Sequence, residues 1–95
     1  MKENFERQNR SLAVFKALAN ANRLKIIKFI ANSKTNELTV NEISDLLEIS
    51  QPATSAHLKL LRFHRIIKAK QSSSQMFYSL RNPDLIKLIN NAEEL

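Results

Sequence analysis

Apolar residues recur along this chain at helical spacing for two thirds of its length, switch to alternation for a short stretch, and then return to helical spacing. From about Asn4 to Ala19, residues Phe5, Leu12, Phe15 and Leu18 fall on one helical stripe. Asn20 is placed to cap a second helix, "ANRLKIIKFIAN", in which Leu24, Ile27 and Ile30 align and Ile26 and Phe29 flank them. So broad an apolar surface requires neighbours on most sides. "SKTNE" after it reads as a polar loop.

"LTVNEISDLLEIS" carries the sharpest local signal. Thr39 and Glu42 stand in the S/T-x-x-E relation of a capping box, so a helix is predicted to start at Val40. Val40, Ile43, Leu46 and Leu47 form its predicted buried face, and "EIS" ends it after about two turns. Ser50 then caps a further helix over 51–63, with Pro52 in the first turn, where a missing amide hydrogen costs little. Two short helices joined by so brief a turn make a helix-turn-helix.

In "SQPATSAHLKLLR" the residues Thr54, Leu58 and Leu61 recur at helical spacing and mark the inward face. The other side displays Gln51, Ala53, Ser55, Ala56, His57 and Lys59, small or hydrogen-bonding groups with little bulk to hold a helix away from a groove. "IIKAK" and "QMFYSL" then read as two strands of a hairpin, with "QSSS" as a loose polar tip lacking the glycine or asparagine of tight hairpins. After Pro83, helical spacing resumes through Leu85, Leu88 and Ile89. The predicted order is four helices, a hairpin and a last helix: a mainly α chain with a small β-hairpin (α+β).

Composition narrows what such a domain does. Ninety-five residues, 43% hydrophobic and 25% charged, make one domain with one modest core. Cysteine is absent, which removes disulfides, thiolate metal sites and thiol-based sensing. Glycine is absent as well, and with it the glycine-rich loops that cradle nucleotide phosphates. "MKENFERQNR" lacks the apolar core of a secretory signal and no apolar run reaches bilayer length, so the expectation is a cytoplasmic protein with no membrane partner.

The formal net charge is +6, and it is concentrated. From Ile49 to Pro83 there is no Asp or Glu, while Lys59, Arg62, Arg65, Lys68, Lys70 and Arg81 lie inside that window; elsewhere nine basic residues meet nine acids. A scattered excess would read as a solvated surface. An acid-free block points to a polyanionic partner, most simply double-stranded DNA. No acid, base and nucleophile converge in the sequence, so no enzyme and no cofactor are expected.

"FKALANANRLKII", "LTVNEISDLLEISQPATSAHLKLLR" and "IIKAKQSSSQMFYSL" together resemble the winged helix-turn-helix repressors of the ArsR/SmtB type. Leu18, Arg23, Ser55, His57, Leu58 and Tyr78 all fall in that family's order and spacing, and the zinc- and cobalt-responsive branch is the most similar in look. The resemblance implies a single domain over 1–95 and a homodimer joined through terminal helices 4–19 and 83–94. Phe5, Leu12, Phe15, Leu85, Leu88 and Ile89 are the interface candidates. It implies a transcriptional repressor on a pseudo-palindromic operator, with helix 51–63 in the major groove and a wing over 66–80 along the flanking backbone. Gln51, Pro52, Ser55 and Ala56 match base-reading positions, and a Gln amide suits adenine N6 and N7. Pro52 and Ala56 are less polar than their counterparts in relatives, which leaves fewer direct base contacts. Thr39, Ser50, His57, Lys59, Arg62, Lys68, Lys70, Gln71, Ser73 and Gln75 are the backbone or wing candidates. Phe77 and Tyr78 are assigned to the core.

Departures from the family are equally specific. Its thiolate site is impossible here, and its last-helix site would need a ligand pair where Asn82 and Asp84 stand. His57 and His64 belong to the groove-facing helix and its end, so no metal site is expected, and the repressor is read as metal-independent. Glu48, Arg65 and Ser72 to Ser74 replace positions the family often fills with glycine. Two other readings stay open: a DNA-organising or protein-interaction module that reads no sequence, and a repressor sensing a divalent metal through non-cysteine ligands. The sequence names no effector, operator or regulated gene, nor whether it represses or activates.

Overall fold

The computed structural model describes residues 12–94. Phe5 and the part of the predicted first helix over 4–11 lie outside them. Helix α1 covers 12–18, and α2 (Ala21–Asn32) follows after Asn20, whose side chain accepts from the Arg23 amide as expected. Strand β1 (Glu37–Thr39) leads directly into α3 (Val40–Leu47), then come α4 (Gln51–Phe63), the hairpin β2 (Ile67–Ser72) and β3 (Gln75–Leu80), and α5 (Leu85–Glu93).

The predicted hairpin is part of a three-stranded antiparallel sheet in the order β1-β3-β2. Leu38 pairs with Tyr78 and Ala69 pairs with Tyr78 from the other side, so β3 is central and β2, with its lysines, is an edge. Three residues are too few to announce a strand by alternation, and "SKTNE" read as loop into its last residue. The free edge of β3 is what makes Glu37–Thr39 extended. Pairing also shortens the wing tip: Gln71 pairs with Met76 and Ser72 with Gln75, leaving Ser73 and Ser74 as a two-residue turn. The expected loose tip is thus a tight one. Ser73 supplies the left-handed conformation, with φ 57°.

The core sits where α2, α3 and α4 meet the sheet. Ile26, Ile27, Ile30, Ile43 and Leu61 are fully buried, joined by Leu58 and by Ile67 from β2. Each such side chain contributes about 1.5–3 kcal/mol of burial free energy. The capping box of α3 forms as read: Glu42 donates its amide to the Thr39 hydroxyl at 3.3 Å, and its carboxylate accepts the Thr39 amide at 2.9 Å. Leu46, however, is 49% exposed, and Ser44 takes the fourth place on the buried face. Positions 44 and 46 flank the 40, 43, 47 stripe on its two sides, and α3 is turned so that the side carrying Ser44 faces the core.

Both helices of the helix-turn-helix end in the same way. Glu48 (φ 58°) donates its amide to Asp45 O, and Ile49 donates to Ser44 O; Arg65 (φ 58°) donates to Arg62 O, and Ile66 to Leu61 O. This paired closure turns the chain through a left-handed residue that is usually glycine. A chain without glycine places Glu48 and Arg65 there, at a steric cost of about 1 kcal/mol each.

Candidate nucleic-acid interface

Helix α4 is divided cleanly by face. Thr54, Leu58 and Leu61 are buried, with relative exposures of 0%, 1% and 0%, while Gln51, Pro52, Ala53, Ser55, Ala56, Lys59 and Arg62 are exposed. Thr54 settles its own hydroxyl by donating to Ser50 O at 2.9 Å. Ser50 caps the helix, its Oγ accepting from the Ala53 amide at 3.2 Å, and its hydroxyl hydrogen stays available for an outside acceptor. The outward stripe therefore begins with the Gln51 amide, narrows at Ala53, Ser55 and Ala56, and ends in two cations.

The wing continues that stripe. Lys68 and Lys70 alternate on the edge strand β2, both exposed, and Gln71, Ser73 and Gln75 stand exposed around the tip. Among the described residues the ion pairs join Lys28 to Glu93 and Lys87 to Asp84, so none of Lys59, Arg62, Arg65, Lys68, Lys70 or Arg81 is neutralised by a carboxylate within 4.0 Å. A cationic surface free of acids runs from α4 onto β2. Such a surface attracts phosphate through counterion release, whatever the sequence between the phosphates.

Between helix and wing lies an open hollow of about 370 Å³ lined by Ser55, Lys59, Arg62, Phe63 and Tyr78. Tyr78, read as core, is half-buried and lines this hollow with its neighbours on α4. Phe63, at the end of α4, is 79% exposed and meets His64 edge-on, with ring centroids 5.1 Å apart. Neither residue carries a local sequence signal for this placement, because the hollow exists only once β3 folds back beside α4.

Two backbone-contact candidates are placed otherwise. Thr39 is 6% exposed and its hydroxyl is committed to Glu42, so the fold uses it as a cap rather than presenting it to a partner. His57 is half-buried instead of lying on the open face. Burial, and then the nearby positive charge of Arg23, hold its imidazole below the ordinary 6.5. Arg23 itself grips the end of α1: its Nε donates to Ala17 O and its Nη2 to Lys16 O at 3.2 Å. The arginine picked out by resemblance thus ties α1 to α2 beside His57 of α4.

A residue absent from the sequence reading joins the two helices at their exposed ends. Gln51 Nε2 donates to Asn41 Oδ1, from the start of α4 to the start of α3.

On the opposite side, α1 and α5 leave a trough of about 520 Å³ lined by Val14, Phe15, Leu18, Leu24, Leu85, Leu88 and Ile89 among others. Leu12, Phe15 and Leu88 are 58%, 69% and 67% exposed on it or beside it, and Ile89 is buried at its floor. Among the described residues no three His, Asp or Glu side chains converge as a metal site, and no helix is long and apolar enough to cross a membrane.

Residues 20–69 match the profile of bacterial regulatory proteins of the arsR family. The transcriptional activator HlyU of Vibrio cholerae is 34% identical over 80 residues, covering 84% of this chain and 71% of HlyU. The transcriptional repressor SdpR of Bacillus subtilis is 31% identical over 77 residues, covering 81% and 82% of the two chains. The regulator KmtR of Mycobacterium tuberculosis is 30% identical over 79 residues, but this chain spans only 58% of its length. The solved structure of reduced HlyU superposes with a TM-score of 0.76 at 30% identity, over 97% of each chain. With its helix-turn-helix, its paired wing strands and this match to the profile, the chain belongs to the arsR family of bacterial regulatory proteins, DNA-binding transcriptional regulators built on the winged helix-turn-helix fold.

Proposed function

We propose that this protein is a homodimeric, sequence-specific repressor that seats α4 of each protomer in the major groove of a pseudo-palindromic operator and lays its wing along the flanking backbone. The observation that carries the reading is the two-sided α4: its inner face is wholly buried, while its outer stripe is thin, exposed and continuous with a cationic wing that has no acidic partner among the described residues. In this reading Gln51 and Ser55 meet base edges, and Pro52 and Ala56 pass close to them with apolar contact. Ser50, Lys59, Arg62, Lys68, Lys70, Gln71, Ser73 and Gln75 hold phosphate and set register. Tyr78 joins them as a phenol facing the same hollow.

The apolar trough between α1 and α5 is covered by a second copy, through Leu12, Phe15, Leu85, Leu88 and Ile89, with the terminal helices as the dimer interface. Dimer symmetry then sets two half-sites about 34 Å apart. Repression follows by covering promoter DNA in the cytoplasm. Control is read as metal-independent: cysteine is absent, and Asn82 stands beside Asp84 where the resembled last-helix site needs a ligand pair.

Selection from a pool of random-sequence duplexes tests the reading. The expected product is a two-fold sequence, and Gln51→Ala relaxes preference at one base step per half-site. Equal loss on selected and random DNA would remove Gln51 from base reading. Enrichment of no sequence would favour a DNA-organising module, the rival suggested by the exposed Pro52, Ala53 and Ala56. Zinc, cobalt or nickel altering operator affinity would instead restore a metal-sensing repressor.

A further inference from the structure

Gln51 is the first residue of α4 and Asn41 the second of α3, both exposed, and the Gln51 Nε2–Asn41 Oδ1 hydrogen bond spans the helix-turn-helix at its outer surface. A glutamine amide has one carbonyl oxygen and two N–H groups. With one N–H held by Asn41, the edge left facing outward is a carbonyl oxygen beside a single N–H, an acceptor next to a donor.

That edge has one good match among the purines. Adenine presents the N7 acceptor beside the N6 amino donor in the major groove, whereas guanine presents two acceptors, N7 and O6. Turned over, with its oxygen accepting from the Asn41 amide nitrogen, Gln51 would show two N–H groups outward and would suit guanine. In the structure Asn41 offers its Oδ1, and a carbonyl acceptor at that place leaves Gln51 in the first orientation. An exposed glutamine without a partner samples both, and pays for ordering when it meets DNA.

We propose that Asn41 is a specificity-determining positioning residue: it orients the Gln51 amide so that this position reads adenine and rejects guanine. The proposal rests on the reading of α4 as the groove-entering helix. Asn41 acts through Gln51 and makes no base contact in this role.

The test uses the full chain and the duplex selected by the wild-type protein, together with the same duplex carrying a G·C pair in place of the A·T pair at the step that Gln51→Ala relaxes. Affinities for both are measured by fluorescence anisotropy for the wild type, Asn41→Ala, Asn41→Asp, Gln51→Ala and the Asn41→Ala/Gln51→Ala double variant. Both side chains are exposed, and circular dichroism confirms folding of each variant. Asn41→Ala is expected to lower the adenine-over-guanine ratio by about 3- to 10-fold, a part of what a bidentate pair contributes. In the Gln51→Ala background it changes the ratio no further. Asn41→Asp, which only accepts, keeps the ratio while weakening both duplexes alike through its charge. An unchanged ratio in Asn41→Ala beside a lowered one in Gln51→Ala overturns the proposal and leaves the groove reading intact. Equal effects of Asn41→Ala with and without Gln51, or wild-type selection of guanine at that step, overturn it as well. If Gln51→Ala itself leaves every base preference unchanged, the groove reading fails and takes the proposal with it.

Discussion

The Lys28 ammonium on α2 lies 2.6 Å from the Glu93 carboxylate at the far end of α5, although 65 residues separate them in the chain. Ile89, on the same helix, is buried in the core. Glu93→Gln is expected to cost about 0.2–1 kcal/mol, as partly exposed ion pairs do. The loss should appear in urea unfolding at low ionic strength and shrink in about 1 M salt. A loss that ignores salt would show that Glu93 matters through packing alone.

The trough framed by α1 and α5 yields a second expectation. Phe15→Glu or Leu88→Glu places a charge on an apolar surface, and sedimentation should find monomers where the parent chain dimerises. Affinity for a two-fold operator then falls by about 10²- to 10⁴-fold, because the second half-site is no longer met at high effective concentration. Retained dimers with both substitutions would move the interface elsewhere.

In the proposed reading, Lys70 on the wing edge addresses phosphate and not sequence. Lys70→Ala should weaken selected and random duplexes by the same factor, and the slope of log affinity against log salt should become shallower by about 0.9 per protomer. An unchanged slope would return Lys70 to the role of an edge-strand guard.

Glu48 and Arg65 occupy left-handed turns that close α3 and α4. Glycine relieves the steric cost but gains freedom in the unfolded chain, so Glu48→Gly should stabilise the domain by no more than about 1 kcal/mol. Glu48→Val, with a branched β-carbon at the same φ, should destabilise it by about 1–3 kcal/mol. Matching urea midpoints for the two variants would show that the turn relaxes to another conformation.

His57 predicts the direction of a pH effect. Its imidazole is held below 6.5 in the folded protein by burial and by Arg23, so below that pH the unfolded chain binds the proton more readily than the folded one. Stability contributed by the neutral form is whole above the ordinary value and is lost as pH falls through 6.5 toward the folded one. His57→Gln should therefore lessen the fall in urea midpoint between about pH 7.5 and about pH 5.5. An undiminished fall would assign the acid sensitivity to other groups.

What the sequence by itself determined were features written within one or two turns of chain. The Thr39–Glu42 box and the Asn20 and Ser50 caps join residues three apart, while the inward Thr54, Leu58 and Leu61 and the acid-free stretch are patterns of the sequence itself, so spacing and composition alone expose them. The family resemblance, rather than spacing, marked Glu48 and Arg65 as standing at positions that favour glycine, and both are left-handed. Tertiary structure decided whatever needed a distant partner. Glu37–Thr39 became a strand because β3 offered a free edge some forty residues on, and the opposite edge of β3 drew Gln71 and Ser72 into the wing. Leu46 lost its place in the core to Ser44 because α3 meets α2 and α4 at an angle its own eight residues do not encode. The hollow at Tyr78, the grip of Arg23 on the end of α1 and the Asn41–Gln51 bond likewise exist only where two elements cross. Periodicity tells each helix which side to bury. Which side chains then meet on the outer surface depends on the crossing geometry, and that is set by the packing of the whole core.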